Sequence, residues 1–403
     1  MMFHIECEDL QSGLSRPCVD SIAVAETGVY GVYRDIETPF RVLRGTSNVE
    51  DATAWAPHGS GGVWRRRQID EILRRNGVEP VNIERAAPRS LMRKLIDAGY
   101  VLTELPGKIV FSRESLASAG YLRALYRHNA RRAGLARVAI LDWGTDPVAI
   151  STLKEFGFRV VMALMGLGSL WRERPSQVAG PYPKGLITEI ESLRLADAVF
   201  CISREEQWLL LNLGVRADYL PYFPDREREL FLLAERNARP AAISTRKSEF
   251  LICATRGNSD SEASFREQVD WIFQAYPEDS PTFHVVGNQT EAVREIWSGP
   301  RFVFHGTCSD EAFVQIRARC RAICVHQQKG HGAATRVPDM ILAGLAVIAN
   351  GPAARSFFDM GGVCVYDTPG QFRELLQANV PMPPLPRRPA ELEDAFFASL
   401  LLS

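Results

Sequence analysis

No stretch of this 403-residue chain reaches the 18 consecutive apolar residues that a membrane-spanning helix requires. Its start, MMFHIECEDL, lacks the basic-then-apolar order of a secretory signal, so the expectation is a soluble, cytoplasmic protein. The eight cysteines (7, 18, 201, 253, 308, 320, 324 and 364) contain no C-x-x-C pair, which removes the usual zinc and dithiol spacings. Several lie in apolar runs such as AVFCIS and FLICA and read as buried free thiols. Lysine is scarce, 6 against 41 arginines, and the net charge is −1, so no global basic excess points to nucleic acid. No Gly-x-Gly-x-x-Gly precedes a helix with an acid at the proper distance, which argues against nicotinamide binding.

What remains is ordinary globular composition, 46% hydrophobic and 24% charged, in a chain long enough for two domains. Ser21–Arg34 reads as a hairpin, within an N-terminal elaboration over 1–38. From Phe40 onward, short apolar segments (FRVLRG, PVNIE, RVAILD, RVVMA, AVFCIS) alternate with helical ones at 63–77, 114–133, 147–156, 184–196 and 204–213. That rhythm predicts a parallel, doubly wound sheet covered on both faces, over 39–222. A charged, proline-containing stretch at 223–248 reads as a linker. A second series over 249–387 starts with FLICAT, with helices expected near 262–276, 291–297 and 310–319, and a last helix falls within 388–403.

The second series centres on Arg321–Asn350, RAICVHQQKGHGAATRVPDMILAGLAVIAN. It reads as strand, glycine loop (Gly330-His331-Gly332), helix from about Thr335, and strand. Pro338 fits the helix's first turn, where a missing N–H costs little. The free amides there, with the dipole behind them, suit an anionic group. Arg336 and Asp339 lie three apart on one face, so a phosphate-clamping cation and a hydroxyl-gripping carboxylate adjoin. Gly61 and Gly62, in HGSGG just before a helix, permit close approach of backbone to phosphate or form a plain turn.

The run GHGAATRVPDMILAGLAVI resembles the donor-site signature of GT-B glycosyltransferases, in particular the retaining family-four enzymes. Arg336 stands where that family has Lys, His331 at its first Glu and Asp339 at its second. The order LADAVFCISREEQ…LPYFPD and the unit RFVFHGTCSDEAF extend the likeness over about 60–403. It implies a GT-B architecture, two Rossmann-like domains facing a central cleft, with the last helix crossing back to the first domain. By the same resemblance, Arg336 and Arg256 would neutralise a departing nucleoside diphosphate and His331 would touch the donor sugar. Asp339 would bind the ribose. Gly330, Gly332, Thr335, Thr255, Asn258 and the base-pocket residue Cys308 would complete the donor site. The family's Lys after Arg256 is replaced by Ser261 and Glu262, and RVVMALMGLGSL lacks the His that many relatives place there.

The reaction so implied moves a sugar from a nucleotide diphosphate to a glycan or lipid-linked hydroxyl acceptor, with retention, in polysaccharide assembly. No cofactor beyond the nucleotide sugar is implied, and no metal, since no Asp-x-Asp pair is present. Asp142 is a structural or acceptor-facing carboxylate. Residues 85–137 carry 11 Lys or Arg against three acids, a local +8. The part over 113–137 reads either as a solvated helix face or as a contact with anionic membrane. Two other readings stay open: a relative that binds a nucleotide sugar or a partner enzyme without transfer, and a sugar-nucleotide epimerase.

Overall fold

The computed structural model describes residues 41–45, 61–82, 99, 113–133, 137–142, 147–171, 185–239, 249–255, 259–276, 281–288, 290–293 and 301–402. Strands β1 (Arg41–Gly45), β2 (Glu79–Asn82), β3 (Val138–Leu141), β4 (Arg159–Leu164), β5 (Ala198–Cys201) and β6 (Asp218–Tyr219) form one sheet in the order β2-β1-β3-β4-β5-β6. Each neighbouring pair in it is parallel. A second parallel sheet holds β7 (Glu249–Cys253), β8 (Thr282–Val286), β9 (Phe302–Gly306), β10 (Ala322–Val325), β11 (Ala346–Asn350) and β12 (Val363–Tyr366). Its order, β12-β11-β10-β7-β8-β9, is that of a nucleotide-binding doubly wound sheet.

Parallel strands are joined by crossovers that cover both faces, so their residues are apolar throughout rather than alternating. In β3, Ala139 and Leu141 enter one core while Val138 and Ile140 enter another on the opposite face. In the second sheet, Phe250 and Ile252 point to one side and Leu251 to the other, as the two-residue period requires.

The covering helices are α1 (Gly61–Arg75), α2 (Arg113–Arg132), α3 (Pro147–Glu155), α4 (Gly168–Trp171), α5 (Gly185–Leu193) and α6 (Arg204–Asn212) on the first sheet. Then come α7 (Arg226–Ala238), α8 (Ser259–Ala275), α9 (Asp310–Arg319), α10 (Arg336–Leu342), α11 (Gly351–Ala354), α12 (Pro369–Gln377) and α13 (Ala390–Leu401).

One expectation changes, and two others fall partly or wholly outside the described residues. Much of the segment read as a linker is the helix α7, started by Asp225, whose Oδ1 accepts the Arg228 N–H at 3.0 Å. Its Leu232 packs with Phe223 against Leu342 and Ala343, so an amphipathic stripe lay beneath the high charge. Of the helix expected at 291–297, the described part is one tight turn, Thr290–Val293. The hairpin expected at 21–34 lies outside the described residues. None of the described helices is long and apolar enough to cross a membrane.

The C-terminal helix α13 lies against α1. Phe396, Phe397 and Leu400 share a core with Val42, Ile69 and Ile72, and the Phe396 ring meets Phe200 edge-on at 4.9 Å. Arg75 clamps the helix start through Glu393 and Asp394, each at 2.7 Å. Phe396→Ala is expected to cost about 3–5 kcal/mol, the usual range for emptying a buried aromatic site. A urea titration followed by circular dichroism checks it, and a loss below about 1 kcal/mol would show that α13 is not part of this core.

Candidate functional site

In the second sheet the strand order reverses between β7 and β10, and ligands of doubly wound folds settle at the carboxyl ends beside such a switch point. A cavity of about 130 Å³ opens there. Its walls include Cys253 at the end of β7, His326 just past β10, Ser264 and Gln268 from α8, and His331 and Arg336. Arg336 Nη1 donates to the Cys253 carbonyl at 2.6 Å, which fixes the guanidinium across the strand end. Lys329 supplies a second cation to the lining.

His331 is half-buried, and its pKa is pushed down to about 4, first by burial and then by the neighbouring Arg355 and Lys329. At neutral pH it is an uncharged imidazole, able to donate at one nitrogen and accept at the other. Thr255 follows β7 and is exposed; its N–H meets Ser261 Oγ at 3.2 Å, tying the loop to α8. Thr335 precedes α10 without a side-chain cap, and Cys308 packs beside the core under α9. Gly61 and Gly62 are the first two residues of α1, which begins two residues earlier than the expected helix, so they are not in the loop before it. Arg256 and Asn258 lie outside the described residues.

The glycines of the loop after β10 have a different explanation from the one expected. Gly332 adopts φ +54°, and a Cβ there would collide with the Met165 carbonyl in the first half of the chain. At Gly330 a Cβ would lie 2.9 Å from the Arg355 guanidinium. What approaches these two glycines closely is the protein itself.

The peptide group of Gly332 is also gripped at both ends. Arg355 donates to its carbonyl, and its N–H donates to Glu206 Oε1 at 2.6 Å. Glu206 is 3% exposed and also accepts the Leu167 N–H at 3.3 Å. One carboxylate of α6 thus joins the loop after β4 to the loop after β10. Burial raises its pKa, against the two amides and Arg355. Ser203-x-x-Glu206 reads as a capping box, and Ser203 Oγ does accept the Glu206 N–H at 3.2 Å. The glutamate side chain instead reaches out of its helix. Neighbouring contacts follow the same route: Glu205 accepts from Ser356 Oγ at 2.8 Å and Arg204 meets Asp359 at 2.9 Å.

Asp339, expected to grip ribose hydroxyls, is engaged elsewhere. It is 3% exposed, with Oδ2 receiving the Arg228 Nε and Nη2 at 2.7 Å and Oδ1 receiving the Tyr222 hydroxyl at 3.0 Å. Burial raises its pKa, and Arg228 and Tyr222 pull it back. The shorter Asp side chain points toward α7 and is sealed by the connector between the two sheets. Asp142 is likewise buried, in an ion pair with Arg66 at 3.2 Å. All six described cysteines are free, with Cys201, Cys320 and Cys324 buried. Among the described residues no cluster of His, Cys, Asp or Glu has the makings of a metal site.

No family model and no curated protein matches this sequence. Solved structures do match its fold. A sucrose-phosphate synthase from Thermosynechococcus elongatus superposes with a TM-score of 0.53 at 14% identity, over 90% of this chain and 99% of that one. An α,α-trehalose 6-phosphate synthase from Burkholderia multivorans gives 0.55 at 12% identity, covering 90% and 98%. Anabaena HepE, solved in complex with UDP and glucose, gives 0.51 at 12%, covering 90% and 100%. The fold is GT-B, two Rossmann-like halves built on parallel sheets, and the chain resembles the glycosyltransferases that carry it.

Two outcomes follow for the buried carboxylates. Asp339→Ala leaves Arg228 buried without its counter-charge, and stability is expected to fall by about 3–5 kcal/mol in denaturant titrations. A change below about 1 kcal/mol would mean that the pair is solvated. Glu206 has a raised folded-state pKa, so its contribution is fully present below the unfolded value and is lost as pH rises through the folded one. Relative to wild type, Glu206→Gln should therefore gain stability as pH rises from about 4.5 toward neutrality. Parallel curves for the two proteins would contradict the shift.

Proposed function

We propose that this protein is a glycosyltransferase that moves a sugar from a nucleotide diphosphate to a hydroxyl acceptor. The observation that carries the reading is the cavity at the switch point, with Arg336 and Lys329 on its walls and the uncharged His331 beside them. Two cations suit a diphosphate, and a planar guanidinium can meet two of its oxygens at once. Developing negative charge on the leaving diphosphate would be stabilised there, in a site already held in shape. HepE, with the same fold, is described with UDP and glucose bound, which supports a nucleotide sugar as the ligand class.

Retention of configuration belongs to this proposal, because the leaving phosphate can itself accept the acceptor's proton. Glu206, the carboxylate nearest the donor loop, already accepts two amides and is closed to solvent. A setting in glycan or polysaccharide assembly, turnover without a metal, and contact of 113–137 with an anionic membrane surface are further parts of the proposal. One observation favours binding without transfer: Asp339, at the position of the family's ribose-binding Glu, is sealed by Arg228 and Tyr222.

A thermal-shift panel of UDP, GDP, ADP, dTDP and their sugars separates these. A ligand at 100 times its Kd should stabilise the fold by roughly 2.7 kcal/mol. One nucleotide is expected to shift wild type and to lose its effect in Arg336→Ala. Release of nucleoside diphosphate only when a hydroxyl acceptor is present then establishes transfer. If no nucleotide moves the wild-type midpoint, the transferase reading falls.

A further inference from the structure

The carboxylate that the donor motif singles out is occupied, so the cavity must recognise its ligand by other groups. Its inner wall carries polar atoms without protein partners. Gln268 is 2% exposed and lines the cavity from α8, yet its Nε2 has no hydrogen-bond partner. Gln327, whose backbone N–H and carbonyl are both held by Asn350 at 2.9 and 2.7 Å, presents an unpartnered, buried Oε1. His326 is 7% exposed, and its Nε2 is engaged with Glu267 Oε2 at 3.4 Å. Orphaned buried polar atoms cost about 1–3 kcal/mol each, so the two glutamine atoms call for a partner supplied from the cavity.

The tautomer of His326 follows from both its sides. Its Nδ1 lies 2.9 Å from the Tyr366 hydroxyl, a fully buried phenol whose pKa burial raises well above normal. With the acceptor-only Glu267 carboxylate 3.4 Å from Nε2, the imidazole proton belongs on Nε2 and Nδ1 accepts from the Tyr366 hydroxyl; burial lowers the ring's pKa. Trp271 packs edge-on against the ring at 5.2 Å and holds its plane. The wall therefore offers one amide N–H donor, from Gln268, and one carbonyl acceptor, from Gln327. Both are uncharged, and Phe265 supplies an apolar surface beside them.

We propose that Gln268 and Gln327 determine which sugar the donor carries, by reading the hydroxyls of a hexosyl ring seated in this cavity. The proposal rests on the glycosyltransferase reading and adds to it the residues that set specificity. A hydroxyl both gives and receives, and can meet this mixed pair. Sites that hydrogen-bond a substrate hydroxyl discriminate strongly, because the wrong ligand leaves their own groups unpaired.

The test compares wild type with Gln268→Leu and Gln327→Leu, each confirmed folded by circular dichroism, in two arms. Calorimetry with a nucleoside diphosphate and its hexosyl derivative should show the derivative weakened ten- to a hundredfold in either variant, and the bare diphosphate altered less than threefold. Equal losses for both ligands, or none, overturn the assignment. The second arm needs no nucleotide: saturation-transfer NMR with methyl glucoside, methyl galactoside and methyl glucuronide. A signal from a neutral glycoside that disappears in Gln268→Leu supports the proposal. Absence of any glycoside signal on wild type means that the cavity holds water only and overturns the proposal, and a signal from the glucuronide alone places recognition on Lys329 and Arg336 and overturns it too. A wild type that binds glycosides but no nucleotide would remove the transferase reading while leaving these residues as sugar readers. Should Gln268→Leu fail to fold, Gln268→Glu, which exchanges the donor for an acceptor, must show the same selective loss.

Discussion

The guanidinium of Arg228 is held between the Asp339 carboxylate and the face of Trp64, 3.8 Å from the ring centroid. Asp339 belongs to α10 of the second sheet, Trp64 to α1 of the first, and Arg228 to the connector between them. A charge this far from solvent is tolerated only with its partner in place, because desolvation of either ion alone exceeds what packing returns. The angle at which the chain leaves the first sheet and enters the second is thereby tied to one ion pair. Tyr222, donating to the same carboxylate, fixes the connector's start.

A second tie operates at the opposite end of α10's approach, where Glu206 and Arg355 hold the two ends of the Gly332 peptide. Both ties join parts of the molecule far apart in sequence. The loop that carries His331 is consequently shaped by the first half of the chain. Its rigidity has a chemical use: electrostatic stabilisation works best where dipoles and charges are set before the ligand arrives. Arg336, anchored on the Cys253 carbonyl, is arranged in that manner.

Much of the fold was legible because parallel sheets announce themselves. Runs such as RVAILD and FLICA are too short for helices and too apolar for surface strands, and the helices between them end in glycine or begin at Ser and Thr. Most strands and helices lie within a few residues of where the pattern put them. The connector was misread because charge dominates RERELFLLAERNA, and its buried stripe is narrow. At the site, Arg336 could be named from its place at the helix start, and His331 from the resemblance to the donor-site motif. Gln268 and His326 could not, since nothing in the bare letters separates a glutamine facing a cavity from one facing solvent.

The order of apolar segments and the glycine loop before α10 determined, without any coordinates, a two-sheet α/β protein with an anion-suited strand end. Local pattern suffices there, because periodicity and turn chemistry depend on neighbours in the chain. What only the tertiary structure decided is which polar groups remain for a ligand. Asp339 and Glu206 are each claimed by partners more than a hundred residues away, while Gln268 and Gln327 are left without any. Buried polar groups must be satisfied by whatever the fold brings near them, and that proximity is not written in sequence spacing.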